Sequence, residues 1–167
     1  FFIDTHGASA DVLSSTSFVQ ARTVIRGAYP LGQRTRLLGR FEYGTSLVES
    51  FERLPLSERF YAGGDQSVRG YAYQSIGKRD DEGRVLGGEN LATMTAEIER
   101  LVWGNVGAAA FMDAGGADSR AFPSLFRGVG AGVRYRAPIG SVQLDLAHPL
   151  DGDSRGVRLH LGIRIGL

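Results

Sequence analysis

The sequence predicts an all-β fold, a transmembrane antiparallel β-barrel to which these 167 residues contribute about eight strands. Segments throughout the chain alternate apolar and polar residues with a period of two, which is typical of strands that have one apolar and one polar face. The connections alternate between short turns and long loops, as they do in transmembrane barrels. The polar positions carry arginine and glycine, and Lys78 is the only lysine, whereas soluble surfaces use lysine freely.

The strands are located by the apolar residues that recur at every second position. Short turns are predicted at PLGQ, VWGN and APIG, and longer loops between SLVESF and GGENL, at GGADSRAFPSLF and at HPLDGDS. Residues 1–12 give the weakest strand signal. The apolar faces of the later strands are, in chain order, Val19, Ala21, Ile25 and Tyr29; Leu37, Phe41 and Tyr43; Met94, Ala96 and Ile98; Val106, Ala108, Ala110 and Met112; Val129, Ala131, Val133 and Tyr135; Val142, Leu144 and Leu146; and Val157, Leu159, Leu161, Ile163, Ile165 and Leu167.

Composition argues against several classes of function. The net charge is +1, so nothing indicates binding to nucleic acid. The chain has no cysteine, and no apolar run reaches the length of about 18 residues that predicts a transmembrane helix. His6, His148 and His160 are far apart without zinc-ligand spacing, so no metal or cofactor is predicted. The chain opens on FFI, which resembles the middle of a strand and predicts a fragment or a trimmed chain.

The alternating faces could be oriented in two ways. In a soluble barrel or sandwich the apolar side faces a core, and in a membrane barrel it faces lipid around a polar lumen. Arginine combined with aspartate and glutamate indicates bidentate ion pairs in a confined space, which favours the lumen. A small soluble ligand-binding barrel is the alternative, and it would be monodisperse without detergent. Aromatic residues near strand ends resemble an interfacial girdle: Tyr29, Tyr43, Trp103 and Tyr135.

One long loop, about residues 50–90, is unusually rich in glycine and aromatic residues, most of all in its segment ERFYAGGDQSVRGYAYQSIG. Gly63 and Gly64 permit a sharp chain reversal, so Arg69 could reach a carboxylate on the polar wall. Eight strands enclose too little room for such a loop, which favours a larger barrel. The wall carboxylates are interpreted as a charge network, and no enzyme activity is predicted; they are Glu97, Glu99, Asp113 and Asp145.

Several motifs occur in a fixed order along the chain. The loop contains the tetrad Val68, Arg69, Gly70 and Tyr71, and it is followed by Glu97 in AEIE and by FMDAG, which contains Asp113. The next hairpin, GVGAGVRYRAPIGSVQLDLAHPL, and the closing VRLHLGIRIGL complete the series. From about residue 18 onward these motifs resemble those of the Omp85 superfamily (bacterial surface antigen D15), although the hairpin has Ala137 where Ser or Thr is usual. The hairpin positions that match are Gly130, Gly132, Arg136, Pro138, Gly140 and Asp145.

The resemblance implies a barrel of about sixteen strands in the bacterial outer membrane, preceded by periplasmic POTRA domains. Residues 1–167 would be its C-terminal half, strands nine to sixteen, with the long loop inserted into the lumen. Arg69 would contact Glu97 and Asp113 and so hold the shape of the lumen. The sequence of these motifs is more similar to that of TamA-type members than to that of BamA-type insertases. The implied role is the assembly or translocation of outer-membrane proteins such as autotransporters, without a nucleotide and with an inner-membrane TamB-like partner.

The closing strand, residues 155–167, is predicted to form a weak seam with the first strand of the whole barrel. Glycine weakens a strand and permits bending, and Gly162 and Gly166 fall on the polar side of this segment. An incoming strand could then pair with the closing strand by β-augmentation. The predicted seam residues are Val157, Leu159, Leu161, Gly162, Ile163 and Gly166.

Two other arrangements fit the same motifs. A two-partner secretion pore or a patatin-fused barrel would act as a passive channel, which would be recognised by steady, large conductance in a planar bilayer. A fragment of about eight strands could also pair with a second copy and form a homodimer.

Overall fold

A computed structural model describes residues 2–8, 18–152 and 156–165, with side chains described from residue 18 to 152 and from 156 to 163. Eight of its strands form one sheet in the order β1-β2-β3-β6-β7-β8-β9-β10, and β4 and β5 form a separate hairpin. The strands are β1 (Phe2–Ala8), β2 (Phe18–Pro30), β3 (Thr35–Val48), β4 (Lys78–Arg79), β5 (Val85–Gly87), β6 (Asn90–Trp103), β7 (Val106–Asp118), β8 (Phe126–Ala137), β9 (Gly140–Pro149) and β10 (Arg158–Ile165).

Every pair of neighbours in the large sheet is antiparallel. The predicted short turns join β2 to β3, β6 to β7 and β8 to β9, and the longer connections lie at the other ends of the strands. The predicted all-β antiparallel fold is therefore confirmed. Strands β1 and β10 stand at the two ends of the order, and within the described residues no ladder joins them, so the barrel is not closed by this chain segment.

The two faces of the sheet differ in the way that the alternation predicts. One face, called here the apolar face, carries exposed Leu, Ile, Val, Met and aromatic side chains on the strands β2, β3, β6, β7, β8, β9 and β10 of the large sheet. The opposite face, called here the polar face, carries buried charged and amide groups. An exposed apolar face of this extent fits contact with lipid rather than water. Buried residues of the polar face include Gln20, Glu42, Glu97, Glu99, Asp113, Arg134, Gln143, Asp145 and His160.

The connection from β3 to β6, residues 49–89 and called here the β3–β6 loop, packs on the polar face. It contains two short 3-10 helices, Phe51–Arg53 and Leu56–Glu58, and the β4–β5 hairpin. Its aromatic and aliphatic side chains form the main buried apolar cluster of the described residues, which explains why this loop is so aromatic. The cluster comprises Phe60, Ala62, Val68, Tyr71, Ile76, Leu91 and Ala117, with Phe126 packed against it.

Strand boundaries differ from the predicted ones at the closing segment. Strand β10 begins at Arg158, so Val157 precedes the strand and is exposed there. Gly166 and Leu167, which were included in the predicted strand, lie outside the described residues. Among the residues that the structure describes, no helix is long and apolar enough to cross a membrane.

A charge on the apolar face tests its contact with lipid. Leu144 lies in the middle of β9 and is exposed on the apolar face. We expect Leu144→Arg to lower the free energy of unfolding by about 2–4 kcal/mol, because arginine in the hydrocarbon region loses its hydration. The measurement is urea unfolding of the full-length protein in phospholipid vesicles. Ile139→Arg, at the exposed β8–β9 turn, is the control with an expected loss of at most about 1 kcal/mol; equal losses would contradict lipid contact.

Candidate functional site

Arg69 lies at the centre of the contact between the β3–β6 loop and the polar face. Its guanidinium group donates from Nε to Asp113 Oδ2 at 2.7 Å and from Nη2 to Asp113 Oδ1 at 3.0 Å. Nη1 donates to Glu97 Oε2 and to Asp145 Oδ2, both at 2.9 Å. The side chain is 4% exposed. Three carboxylates, from the strands β6, β7 and β9, thus hold one loop arginine by bidentate and bridging contacts.

Two further contacts fix the orientation of Arg69. Its backbone N–H donates to Asp113 Oδ2 at 3.1 Å. Its Cζ lies 3.3 Å from the ring centroid of Phe111, so the guanidinium plane is stacked on an aromatic face. Burial alone would lower the pKa of Arg69, but hydrogen bonds and charge from Asp113 and Glu97 outweigh it and raise the pKa above its ordinary value. The loop arginine therefore stays charged.

A second set of arginines completes the charge network around these carboxylates. Arg134, which is also buried, contacts Glu97 at 2.8 Å, Glu99 at 3.3 Å and Asp145. Arg36 and Arg136 contact Glu99 at 2.6 and 3.2 Å. Four guanidinium groups therefore face four carboxylates, and the local charge is balanced. The members of this network are Arg36, Arg69, Arg134 and Arg136 with Glu97, Glu99, Asp113 and Asp145.

This occupancy limits what the carboxylates can do chemically. Each of the four accepts at least one guanidinium contact, so none is a free general base facing solvent. Within the described part of the chain, no group of three or more His, Asp or Glu residues could hold a metal ion. The arrangement binds a loop segment to the strands, and that is its evident chemical capacity.

The residues on either side of Arg69 anchor the same segment. Val68 is fully buried in the apolar cluster. Gly70 has φ +99°, and a Cβ there would lie 2.9 Å from Pro149 N, so only glycine fits this turn against β9. The Tyr71 hydroxyl lies 2.8 Å from Asp151 O and 3.0 Å from Arg127 O, and its ring meets Phe126 edge-on. Burial raises the pKa of Tyr71, so this phenol keeps its proton for hydrogen bonding.

Glycines of β8 make room for this anchored segment. A Cβ at Gly128 would overlap the carbonyl oxygen of Arg69, and a Cβ at Gly132 would overlap Asp145 Oδ1. A Cβ at Gly130 would strike the ring of Phe111, which stacks on Arg69. The glycine run in GVGAGV thus lets loop backbone and network side chains lie directly on strand backbone.

The predicted seam residues lie apart from the Arg69 network, on β10 and just before it. Leu159, Leu161 and Ile163 are on the apolar face and are about two-thirds exposed. Gly162 is on the polar face opposite Gln143, and a Cβ there would overlap the Gln143 side chain. Gly162 therefore provides space for a neighbouring side chain, which is a reason for glycine that the sequence did not reveal.

The sequence pointed to Arg69 and to all four wall carboxylates, and the structure brings them together. Sequence reasoning missed Arg134, the ring of Phe111 and the pair His160 and Asp65. Strand alternation already placed Arg134 and His160 on the polar side, and that signal could have identified both as neighbours of the loop.

Comparison with known proteins decides the family. A sequence profile described as the Omp85 superfamily domain matches residues 1–166. The chain belongs to the Omp85 superfamily. Omp85 proteins reside in the bacterial outer membrane, so both the family and the location that the sequence predicted are confirmed.

Two relatives of this Omp85 chain illustrate the match. The chain is 30% identical over 153 residues to the outer membrane protein assembly factor BamA of Nitratidesulfovibrio vulgaris, a match that covers 87% of this chain and 19% of that protein. The crystal structure of BamA from Haemophilus ducreyi lacking POTRA domains 1–3 superposes with a TM-score of 0.69 at 18% identity, covering 86% of this chain and 34% of that one. The chain thus spans about a fifth of the curated relative, and the TamA-type assignment stays a prediction.

Proposed function

We propose that these residues form the C-terminal half of an Omp85 barrel whose whole protein inserts or translocates outer-membrane proteins. In this proposal the seam strand β10 receives the substrate, and the anchored Val68–Tyr71 segment keeps the lumen in shape. The chain acts without catalysis or a cofactor. Its partners are the outer-membrane bilayer and nascent barrel proteins; autotransporters as the substrates and a TamB-like inner-membrane partner are the finer part of the proposal.

The position of β10 is the observation that carries the proposal. It pairs with β9 on one side and stands at the end of the strand order, and within the described part of the chain no strand pairs with its other backbone edge. In lipid, backbone N–H and C=O groups must be paired within protein. A substrate strand pairing with this edge would satisfy them by β-augmentation, and the exposed Leu159, Leu161 and Ile163 would already face the lipid side.

The relatives support the same reading. The relative at 30% identity is itself an outer membrane protein assembly factor. The arginine-centred contact also fits assembly better than an open pore, because the β3–β6 loop covers the polar face and is held there by buried ion pairs. A passive channel would instead need this face clear for solutes.

Site-specific cross-linking tests the proposal. A photo-reactive amino acid is placed at Ile163 of β10, or at Leu144 in the sheet interior as the matched control, in the full-length protein. We expect adducts with a stalled autotransporter or barrel strand at Ile163 and none at Leu144. Adducts at no position from 157 to 165 would overturn the proposal. Steady, large conductance in planar bilayers, without any dependence of protein display on the chain, would favour the passive channel. A doubled mass in detergent solution would indicate a homodimer.

A further inference from the structure

A second contact, separate from the Arg69 network, joins the β3–β6 loop to β10. His160 lies on the polar face of β10 and is 8% exposed. Its Nε2 is 3.0 Å from the backbone N of Gly70, and its Nδ1 contacts Asp65 Oδ1. Both contacts join the loop to β10. One imidazole ring therefore bridges both ends of the segment from Asp65 to Gly70.

Hydrogen-bond chemistry fixes the state of this ring. A backbone N–H can only donate, so Nε2 must be the acceptor and carry no proton. The ring proton then sits on Nδ1 and is donated to the Asp65 carboxylate. Each ring nitrogen has one partner on the loop, and the neutral tautomer satisfies both. Leucine, glutamine or alanine at this position would lose one contact or both.

The surroundings make this contact distinctive. A cavity of about 720 Å³ lies between the loop and the strands β2, β3 and β10. Arg22 and Arg40 line it from the strands, Tyr73 from the loop and Arg158 from β10. His160 is itself one of the residues that line this cavity, on its β10 side. The Arg69 carboxylates lie on β6, β7 and β9, so that network does not hold β10.

We propose that His160 is a positioning residue that latches the β3–β6 loop to the seam strand. While the latch is closed, β10 is held against the loop, and while it is open, β10 is free to leave the loop and pair with an incoming strand. Loop position and seam position are thereby coupled through one side chain. This inference rests on the proposed function of β10 as the receiving strand.

Amide hydrogen exchange in the full-length protein tests the latch itself. In His160→Phe, we expect the Gly70 amide to exchange roughly five- to tenfold faster, since it loses its acceptor. The Arg69 amide, which Asp113 holds, should exchange at an unchanged rate. His160→Gln places an oxygen near the position of Nε2 and should restore slow exchange. His148→Phe is the matched control, because the side chain of His148 is exposed on β9 and its ring contacts Gly156 O, so the substitution leaves the acceptor of the Gly70 N–H in place.

These exchange rates have clear contrary outcomes. An unchanged Gly70 rate in His160→Phe would overturn the latch. Faster exchange at Arg69 as well would show general loosening of the loop and would also count against it. Failure of His160→Gln to slow Gly70 again would show that ring packing, rather than the acceptor, holds the segment.

A cross-link tests the coupling to the seam. The chain has no cysteine, so Asp65→Cys with His160→Cys can be joined by a short bis-methanethiosulfonate reagent, in which each thiolate displaces methanesulfinate and forms a disulfide that a reductant cleaves. We expect the joined protein to lose at least about nine-tenths of its substrate adducts at Ile163 and to regain them after cleavage. Adducts that persist in the joined form would overturn the positioning role while the proposed function stands. Absence of adducts in the unmodified protein would contradict the proposed function. The exchange rate of the Gly70 amide would still decide whether the latch exists.

Discussion

Replacing Arg69 with alanine is expected to destabilise the protein by about 3–5 kcal/mol, the largest single-residue effect that the structure predicts. The change leaves Asp113, Glu97 and Asp145 buried on the polar face with one cation fewer. It also removes the stacking on Phe111. The free energy of unfolding of the full-length protein in vesicles measures the effect, and the proposed function predicts that display of outer-membrane proteins falls in parallel.

Two companion variants make the Arg69 result specific. Arg84→Ala breaks an exposed ion pair with Asp80 at the tip of the loop hairpin, and exposed pairs contribute at most about 1 kcal/mol. Arg69→Lys keeps the positive charge but loses the planar guanidinium group with its several donors. Its free energy of unfolding should therefore lie between that of Arg69→Ala and that of the native protein. If Arg69→Ala and Arg84→Ala had the same stability and activity, Arg69 would not have the central role proposed for it.

Gly128→Ala is expected to lower the free energy of unfolding by about 1–3 kcal/mol, an effect that acts on the contact between the loop and β8. The added Cβ would overlap the carbonyl oxygen of Arg69. Both atoms belong to backbone held on two sides, so neither can turn away as a flexible side chain would. The β3–β6 loop should therefore lift from β8, which increases its cleavage by an added protease.

The same substitution at Gly39 is the matched control. Gly39 lies within β3, and no heavy atom approaches a Cβ built there within 4 Å. Gly39→Ala should leave loop cleavage unchanged and alter stability by less than about 1 kcal/mol. If the protease cleaves the loop equally slowly in Gly128→Ala and Gly39→Ala, the close approach at Gly128 does not contribute to stability.

Much of the fold could be predicted because a lipid-facing sheet has a simple sequence rule. Leu144 and Asp145 are neighbours in the chain, yet one is exposed on the apolar face and the other is buried on the polar face. The alternation of side chains along a strand produces this contrast directly. The contacts of Arg69 could also be predicted from the sequence, because a buried guanidinium group needs carboxylate partners and the predicted strands contain few carboxylates.

Other contacts of the site depend on geometry that the alternation of apolar and polar residues does not predict. His160 and Asp65 are 95 positions apart, and their contact follows from how the loop crosses the sheet. The same holds for Tyr71 and the backbone of Asp151, 80 positions away. The sequence predicted that Gly162 weakens its strand, but in the structure a larger residue at this position would overlap the side chain of the neighbouring Gln143. Strand register sets such cross-strand pairs, and register cannot be derived from one strand alone.

The glycines of β8 have a consequence for how such a barrel can evolve. Because the loop rests on main chain there, its exposed side chains can change without altering the surface beneath them. The glycines have no such freedom, since any mutation adds at least a methyl group into an occupied volume. Substitutions should therefore accumulate at the exposed positions of the loop, while the glycines beneath it stay the same.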